Sequence, residues 1–181
     1  MRLFVAVEIP QEVKTTLEGF LKPLRATAKL SWSRLDNLHI TTQFIGDWPE
    51  ARLDEIKRAL AGVPARSAID IRVKGIGWFP NERRPRVFWA GIDGDDGLRA
   101  LARDTQEAIA KAGAPLEERA FTPHLTLARI REPVPLGALR EAIQSSPFAR
   151  GFHFGAFRAA AFYLYLSAGG RYTQLAGFGL K

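Results

Sequence analysis

Apolar positions along this chain follow two alternating rhythms. Residues 2–9 and 86–93 are short runs rich in β-branched and aromatic side chains, each closed by an acid and a turn signal. That pattern predicts strands. Helical spacing follows each run. Val13, Leu17, Phe20, Leu21 and Leu24 define an apolar face over residues 11–26, and Leu98, Leu101, Ala102, Thr105 and Ile109 define one over residues 97–112. Each helix leads through a loop into a strand headed by a histidine, His39 or His124. Shorter helices follow, at residues 49–60 with Leu53, Ile56 and Leu60, and at residues 136–143 with Leu139 and Ile143. Residues 68–78 read as a strand, residues 151–166 as one or two strands, and residues 172–178 as a last one.

The order of elements therefore repeats. Arg2-Leu3-Phe4-Val5-Ala6-Val7-Glu8-Ile9 aligns with Arg86-Val87-Phe88-Trp89-Ala90-Gly91-Ile92-Asp93. A β-α-β-α-β unit of about half the chain is used twice, over roughly residues 1–80 and 85–181. The expected fold is α+β: duplicated units whose sheets flank a central cleft, with helices packed outside. Lobes need not follow halves of the chain, because the terminal strand is free to pair back with the first lobe. A pseudo-two-fold axis would set the two histidine strands across the cleft. At 181 residues the chain is expected to be one two-lobed domain.

Two of the three histidines begin the same tripeptide, His39-Ile40-Thr41 and His124-Leu125-Thr126. With nine threonines in the chain, two such coincidences arise by chance at roughly the one-per-cent level. On a strand, His and Thr at i and i+2 share a face. Two such strands supply two imidazoles, able to act as general acid and general base, and two hydroxyl donors. A single His-x-Thr would read as a polar pair on a sheet face; the duplicated one reads as a site.

Composition narrows the chemistry. Apolar residues make up 46% of the chain and cysteine is absent, which suits an ordinary globular protein and excludes disulfides and thiolate metal sites. No His-rich metal motif such as HExxH occurs, so no metal and no cofactor are expected. The net charge of +7 favours phosphate-bearing partners. The apolar run Leu3 to Val7 ends at Glu8, too short for a signal segment. A cytoplasmic protein is the expectation, with no membrane association, no obligate protein partner and a monomeric state.

These residues resemble the 2H phosphoesterase superfamily, and most of all its RNA 2′,3′-cyclic phosphodiesterase (2′-5′ RNA ligase) branch. The resemblance rests on Met1-Arg2-Leu3-Phe4-Val5-Ala6-Val7, on Asn37-Leu38-His39-Ile40-Thr41 with Phe44-Ile45-Gly46, on Arg84-Pro85-Arg86-Val87-Phe88-Trp89-Ala90-Gly91, and on Phe121-Thr122-Pro123-His124-Leu125-Thr126-Leu127-Ala128-Arg129. It implies a two-lobed α+β fold and metal-independent opening of a 2′,3′-cyclic phosphate, on RNA or a nucleoside, to a 2′-phosphomonoester, with some relatives joining or cleaving 2′-5′ linkages. His39 is expected as general acid, His124 as general base, and Thr41 and Thr126 as donors to the phosphate oxygens. Two alternatives stay open: a non-catalytic module that binds RNA ends, and a phosphodiesterase for small cyclic phosphates such as ADP-ribose 1″,2″-cyclic phosphate.

Phe44 and Arg129 stand at the same distance past each histidine, and the resemblance implies that they contact the terminal base. Strand parity opposes this, because both would point away from the histidines unless a bulge intervened. Arg131, near the same strand end, reads as a solvated residue within reach of phosphate. His153 and the four tryptophans read as surface and packing residues. Asp93-Gly94-Asp95-Asp96-Gly97 reads as a turn and helix start rather than a cation loop. One departure from the family pattern lies in Leu164-Tyr165-Leu166-Ser167-Ala168-Gly169-Gly170-Arg171-Tyr172. The Gly-Gly-x-Tyr end is kept, but the family's Ser-x-Leu and Pro positions are not.

Overall fold

A computed structural model describes residues 1–181. Two antiparallel sheets form the framework. The first has the order β3-β1-β8-β9, built from His39–Asp47 (β3), Arg2–Glu8 (β1), Ala161–Ala168 (β8) and Arg171–Gly179 (β9). The second has the order β2-β6-β5-β4-β7, built from Ser31–Trp32 (β2), His124–Arg129 (β6), Val87–Gly94 (β5), Ile69–Phe79 (β4) and His153–Ala159 (β7). Four helices accompany them: α1 (Gln11–Arg25), α2 (Leu53–Ala61), α3 (Asp96–Lys111) and α4 (Gly137–Gln144). The mixed α and β architecture, with two antiparallel sheets, is the expected one. No helix is long and apolar enough to cross a membrane.

Strands from the two halves of the chain are exchanged between sheets. The third strand of the first unit, β4, leaves β1 and pairs with β5. The corresponding strand of the second unit, β8, pairs with β1. The stretch 151–166 holds two strands, and they lie in different sheets. Ala160 is the break at which the chain passes from one sheet to the other. The helices cross over as well. Helix α1 packs on β7, and α4 lies beside the second sheet, its Arg140 over the Trp78 ring of β4. Helix α3 packs on β3, with α2 beside the first sheet.

Strand pairing corrects the sequence alignment of β1 with β5 by one residue. Glu8 faces His39 and Phe4 faces Phe44, whereas Gly91 faces His124 and Val87 faces Arg129. Val5, not Phe4, is thus the counterpart of Phe88, and both are fully buried. A one-residue slip exchanges the two faces of a strand, and hydrophobicity does not resolve it because β1 is buried on both faces. Leu3, Val5 and Val7 enter the main core of 34 residues. Phe4 and Ala6 form a separate buried patch with Tyr165.

Helix boundaries follow local chemistry. Asp95 caps α3, its side chain accepting from Gly97 N at 2.8 Å, so the Asp-Gly cluster is a turn and helix start as expected. The predicted helix at 49–60 begins as a 3₁₀ turn, Glu50–Arg52, before α2. The short β2 carries no periodic signal and exists through its pairing with β6.

The α1 helix is anchored on the second sheet by Phe20, which is fully buried. Its ring centroid lies 5.0 Å from that of Phe154, 5.6 Å from Phe148, 6.0 Å from Phe152 and 6.5 Å from Phe88. Replacing Phe20 by Ala should cost about 3–5 kcal/mol of stability, read from urea unfolding monitored by circular dichroism. A change below about 1 kcal/mol, less than any truncated core aromatic should give, would show that this knot does not hold the helix.

Candidate active site

His39 opens β3 and His124 opens β6. Each ring is fixed in the same way. His39 Nδ1 lies 2.6 Å from the Asn37 carbonyl oxygen, and His124 Nδ1 lies 2.8 Å from that of Thr122. A carbonyl only accepts, so Nδ1 carries the hydrogen in both rings and Nε2 keeps its lone pair. Neither Nε2 has a partner within the protein.

Aromatic rings brace both imidazoles. Phe4 stacks on His39 at 4.7 Å, Tyr165 lies 5.2 Å from Phe4 and 6.3 Å from His39, and Tyr172 meets His39 edge-on at 5.0 Å. Phe79 meets His124 edge-on at 5.0 Å and contacts Trp89 at 5.1 Å. The Trp89 indole lies flat over Gly77, where a Cβ would come within 2.0 Å of the ring. Only glycine leaves room for that indole.

The two histidines share one electrostatic environment. Burial pushes His39 down to about 4, against the raising effect of the hydrogen bond it donates to the Asn37 carbonyl, and positive charge at His124, Arg129 and Lys14 pushes the same way as burial. Burial also lowers His124, and Arg129 adds to it. Both imidazoles are therefore neutral at neutral pH in the free protein.

Thr41 faces Ala6 and Thr126 faces Trp89 in the strand register, each on the side of its histidine. Neither hydroxyl is engaged within the protein, whereas the adjacent Thr42 hydroxyl donates to the Val5 carbonyl at 3.3 Å. The bulges that parity demands are present. Thr42 is the extra residue where β3 slips against β1, and Leu127 is the extra residue where β6 slips against β5. Past each bulge the alternation is reset, so Phe44 returns to the face of His39 and Arg129 to the face of His124. Phe44 is 58% exposed and its ring lies 6.4 Å from that of Phe4. Arg129 is exposed and close enough to lower both histidines.

Several neighbours of the site carry no signal in the sequence. Glu8, cross-strand from His39, accepts a hydrogen bond from the Tyr165 hydroxyl at 2.8 Å. Burial, the Glu8 bond and the Glu8 charge raise the Tyr165 hydroxyl, so it stays protonated. Phe4 and Phe79 reach the two imidazoles only through the placement of β1 and β4 in the sheets. Tyr172 belongs to the Gly-Gly-x-Tyr segment, and the loop before it is tied to the site by Asn37 Nδ2 donating to Gly170 O at 2.9 Å. His153 lies exposed on β7, pairing with Lys74 rather than with either cleft strand. Trp48 is buried, while Trp32 and Trp78 pack on Phe88.

Comparison with known proteins places this arrangement. The model of LigT-like phosphoesterases matches residues 7–89 and 92–168. A Methanocaldococcus jannaschii protein named RNA 2′,3′-cyclic phosphodiesterase is 30% identical over 167 residues, covering 92% of this chain and 91% of the relative. A Thermotoga maritima protein of the same name is 32% identical over 136 residues, covering 72% and 71%. A Geobacillus stearothermophilus relative of that name is 34% identical over 128 residues, covering 70% of this chain and only 41% of the relative. Among solved structures, a Thermus thermophilus protein superposes with a TM-score of 0.81 at 29% identity, covering 99% of this chain and 98% of the other. Escherichia coli LigT complexed with 3′-AMP superposes with a TM-score of 0.76 at 25% identity, covering 99% and 97%. A duplicated His-x-Thr pair on two facing strands, in a chain matched along most of its length, makes this protein an enzyme of the LigT-like phosphoesterase family.

Proposed function

We propose that the chain opens the 2′,3′-cyclic phosphate at an RNA or nucleoside end by attack of water, leaving a 2′-phosphomonoester. The observation that carries this reading is the matched pair of imidazoles, each holding Nδ1–H on a backbone carbonyl and each offering an unpartnered Nε2. The names of the relatives support the substrate class.

In this scheme His124 Nε2 takes a proton from water as it attacks phosphorus. His39 Nε2 gives a proton to the departing 3′ oxygen. The Thr41 and Thr126 hydroxyls donate to the non-bridging oxygens as charge builds there. Because His39 is neutral in the free protein, it takes up its proton from solvent as the substrate binds. The phosphodiester anion favours an imidazolium beside it and offsets the burial that lowers that histidine. With the roles exchanged, the microscopic reverse re-forms the cyclic phosphate from the 2′-phosphate and its neighbouring 3′ hydroxyl with release of water. A 5′ hydroxyl attacking the cyclic phosphate in place of water would release the 3′ oxygen and leave a 2′-5′ linkage. Phe44 and Arg129 offer an aromatic face and a guanidinium plane to the terminal base. No metal ion enters any step.

Each of His39→Ala and His124→Ala should lower kcat/KM on a cyclic-phosphate dinucleotide by about 10² to 10⁴ while leaving the unfolding midpoint near that of the parent. Turnover should persist in EDTA, and the product should be the 2′ isomer by phosphorus NMR. Full activity in either variant would end the two-histidine scheme.

The pH dependence follows from the same burial. kcat/KM reports the free enzyme, and it requires one imidazole charged and the other neutral. Both values are lowered, that of His39 to about 4, so the bell should peak below the ordinary histidine value of about 6.5. Activity should fall as pH rises past the His124 value and fall again as pH drops past the His39 value. A maximum on the alkaline side of neutrality would contradict the lowered pair. Nitrogen-15 correlation spectra at neutral pH should show the Nδ1–H tautomer for both rings.

A further inference from the structure

The cleft is not symmetric in charge. On the His39 side the site face ends at Glu8, an exposed carboxylate cross-strand from the histidine. On the His124 side it runs along β6 to Arg129, which forms no ion pair. Ser31 of β2 pairs directly with Arg129 and so shares its face. Arg131 turns back over that same residue, with Nε donating to Ser31 Oγ at 3.1 Å. Arg86 lies alongside: Ile130 N donates to its carbonyl at 2.9 Å, and its own Nη1 donates to the Arg131 carbonyl at 3.2 Å. Three guanidinium groups thus gather where β2, β5 and β6 end, next to the proposed phosphate site.

These arginines are available. Arg25, Arg52, Arg66, Arg103 and Arg158 are each paired with a carboxylate. Arg86, Arg129 and Arg131 are paired with none, although Glu82 and Glu132 lie nearby in the chain. Arg86 is held by a backbone carbonyl and Arg131 by the Ser31 hydroxyl, neutral partners that leave their charge intact. The hairpin joining β4 to β5 adds Arg83 and Arg84, both exposed, at the same end. Exposed guanidinium groups unpaired with carboxylates and clustered at one strand end suit successive phosphates of a single strand.

We propose that this cluster is a track for the ribose-phosphate backbone upstream of the reacting end. In this arrangement Arg131 and Arg86 hold phosphates 5′ to the terminal nucleotide, and the preferred substrate is an oligonucleotide rather than a mononucleotide. The proposal rests on the RNA-end reading given above. It adds a direction, since the strand leaves the cleft past Arg129 and not past Glu8.

The test compares a nucleoside 2′,3′-cyclic phosphate with cyclic-phosphate oligonucleotides of two to six residues, in the parent chain and in Arg86→Ala/Arg131→Ala. The parent should show kcat/KM rising with length and falling with salt for the oligomers. The double variant should lose about tenfold on oligomers, stay within about twofold of the parent on the mononucleotide, and bind every oligomer sequence more weakly to the same degree. Binding of a 2′-phosphate-ended hexamer, followed by fluorescence anisotropy, should lose about 0.7 from its salt slope for each arginine removed. Equal kcat/KM for mononucleotide and hexamer in the parent, or an unchanged salt slope in the variant, overturns the track. Failure to turn over any cyclic phosphate would overturn the hydrolytic reading alone, and the anisotropy measurement would still decide the track.

Discussion

Thr42 and Leu127 are inserted at the same place in two equivalent strands, and the composition of the cleft walls depends on them. A regular strand that aimed His and Thr into the cleft would aim the residue after the next two into the core. Phe44 would then be buried and Arg129 would be a charge in the apolar interior, which is costly without a partner. One extra residue in each strand resolves the conflict. Thr42 and Gln43 both turn inward, as do Leu127 and Ala128. The loose backbone this creates is satisfied locally. Ser33 N donates to Leu127 O at 2.9 Å and Ser33 Oγ to Thr126 O at 2.7 Å. The Thr42 hydroxyl reaches the Val5 carbonyl across the other bulge.

The same walls set the electrostatics. Phe4 and Tyr165 on one side, and Phe79 and Trp89 on the other, replace water around the two rings. An imidazole in such surroundings resists charge, which is why both values fall. The backbone bonds at Nδ1 work against burial, since a donor fixed on a carbonyl favours the protonated ring. Burial prevails at both positions. The result is a cleft that holds two neutral bases and a nearby guanidinium. An anion entering it meets positive charge and low dielectric together, and each contact there is worth more than in water.

Much of this was readable from residue order. The duplicated His-x-Thr, the helix faces and the two-sheet class follow from spacing and periodicity, because those signals are local. The bulges were readable only as a requirement, from the clash between strand parity and an exposed role for Phe44 and Arg129. What stayed hidden depends on pairing between distant segments. Nothing in Ser31-Trp32 marks a strand until β6 is beside it. The offset between β1 and β5 is invisible in two runs that are apolar on both faces. The partnership of Glu8 with Tyr165 joins the two ends of the chain through the β1–β8 register, and no motif announces it.

The exchange of β4 and β8 bears on why the cleft can be rigid. Had each unit closed its own sheet, the walls would be two small bodies joined by a linker, and relative motion between them would be the default. Instead each sheet contains strands from both halves, and α1 and α3 each pack against the sheet that their own preceding strand does not join. The chain crosses repeatedly between the sheets, and separating the walls would mean undocking α1 from β7 and α3 from β3. Positions on opposite walls are therefore tied more firmly than two bodies joined by a single linker would be. The proposed scheme, in which two imidazoles act on one phosphorus, needs their spacing held to a fraction of an ångström, and the crossing of chain segments between the two sheets serves that need.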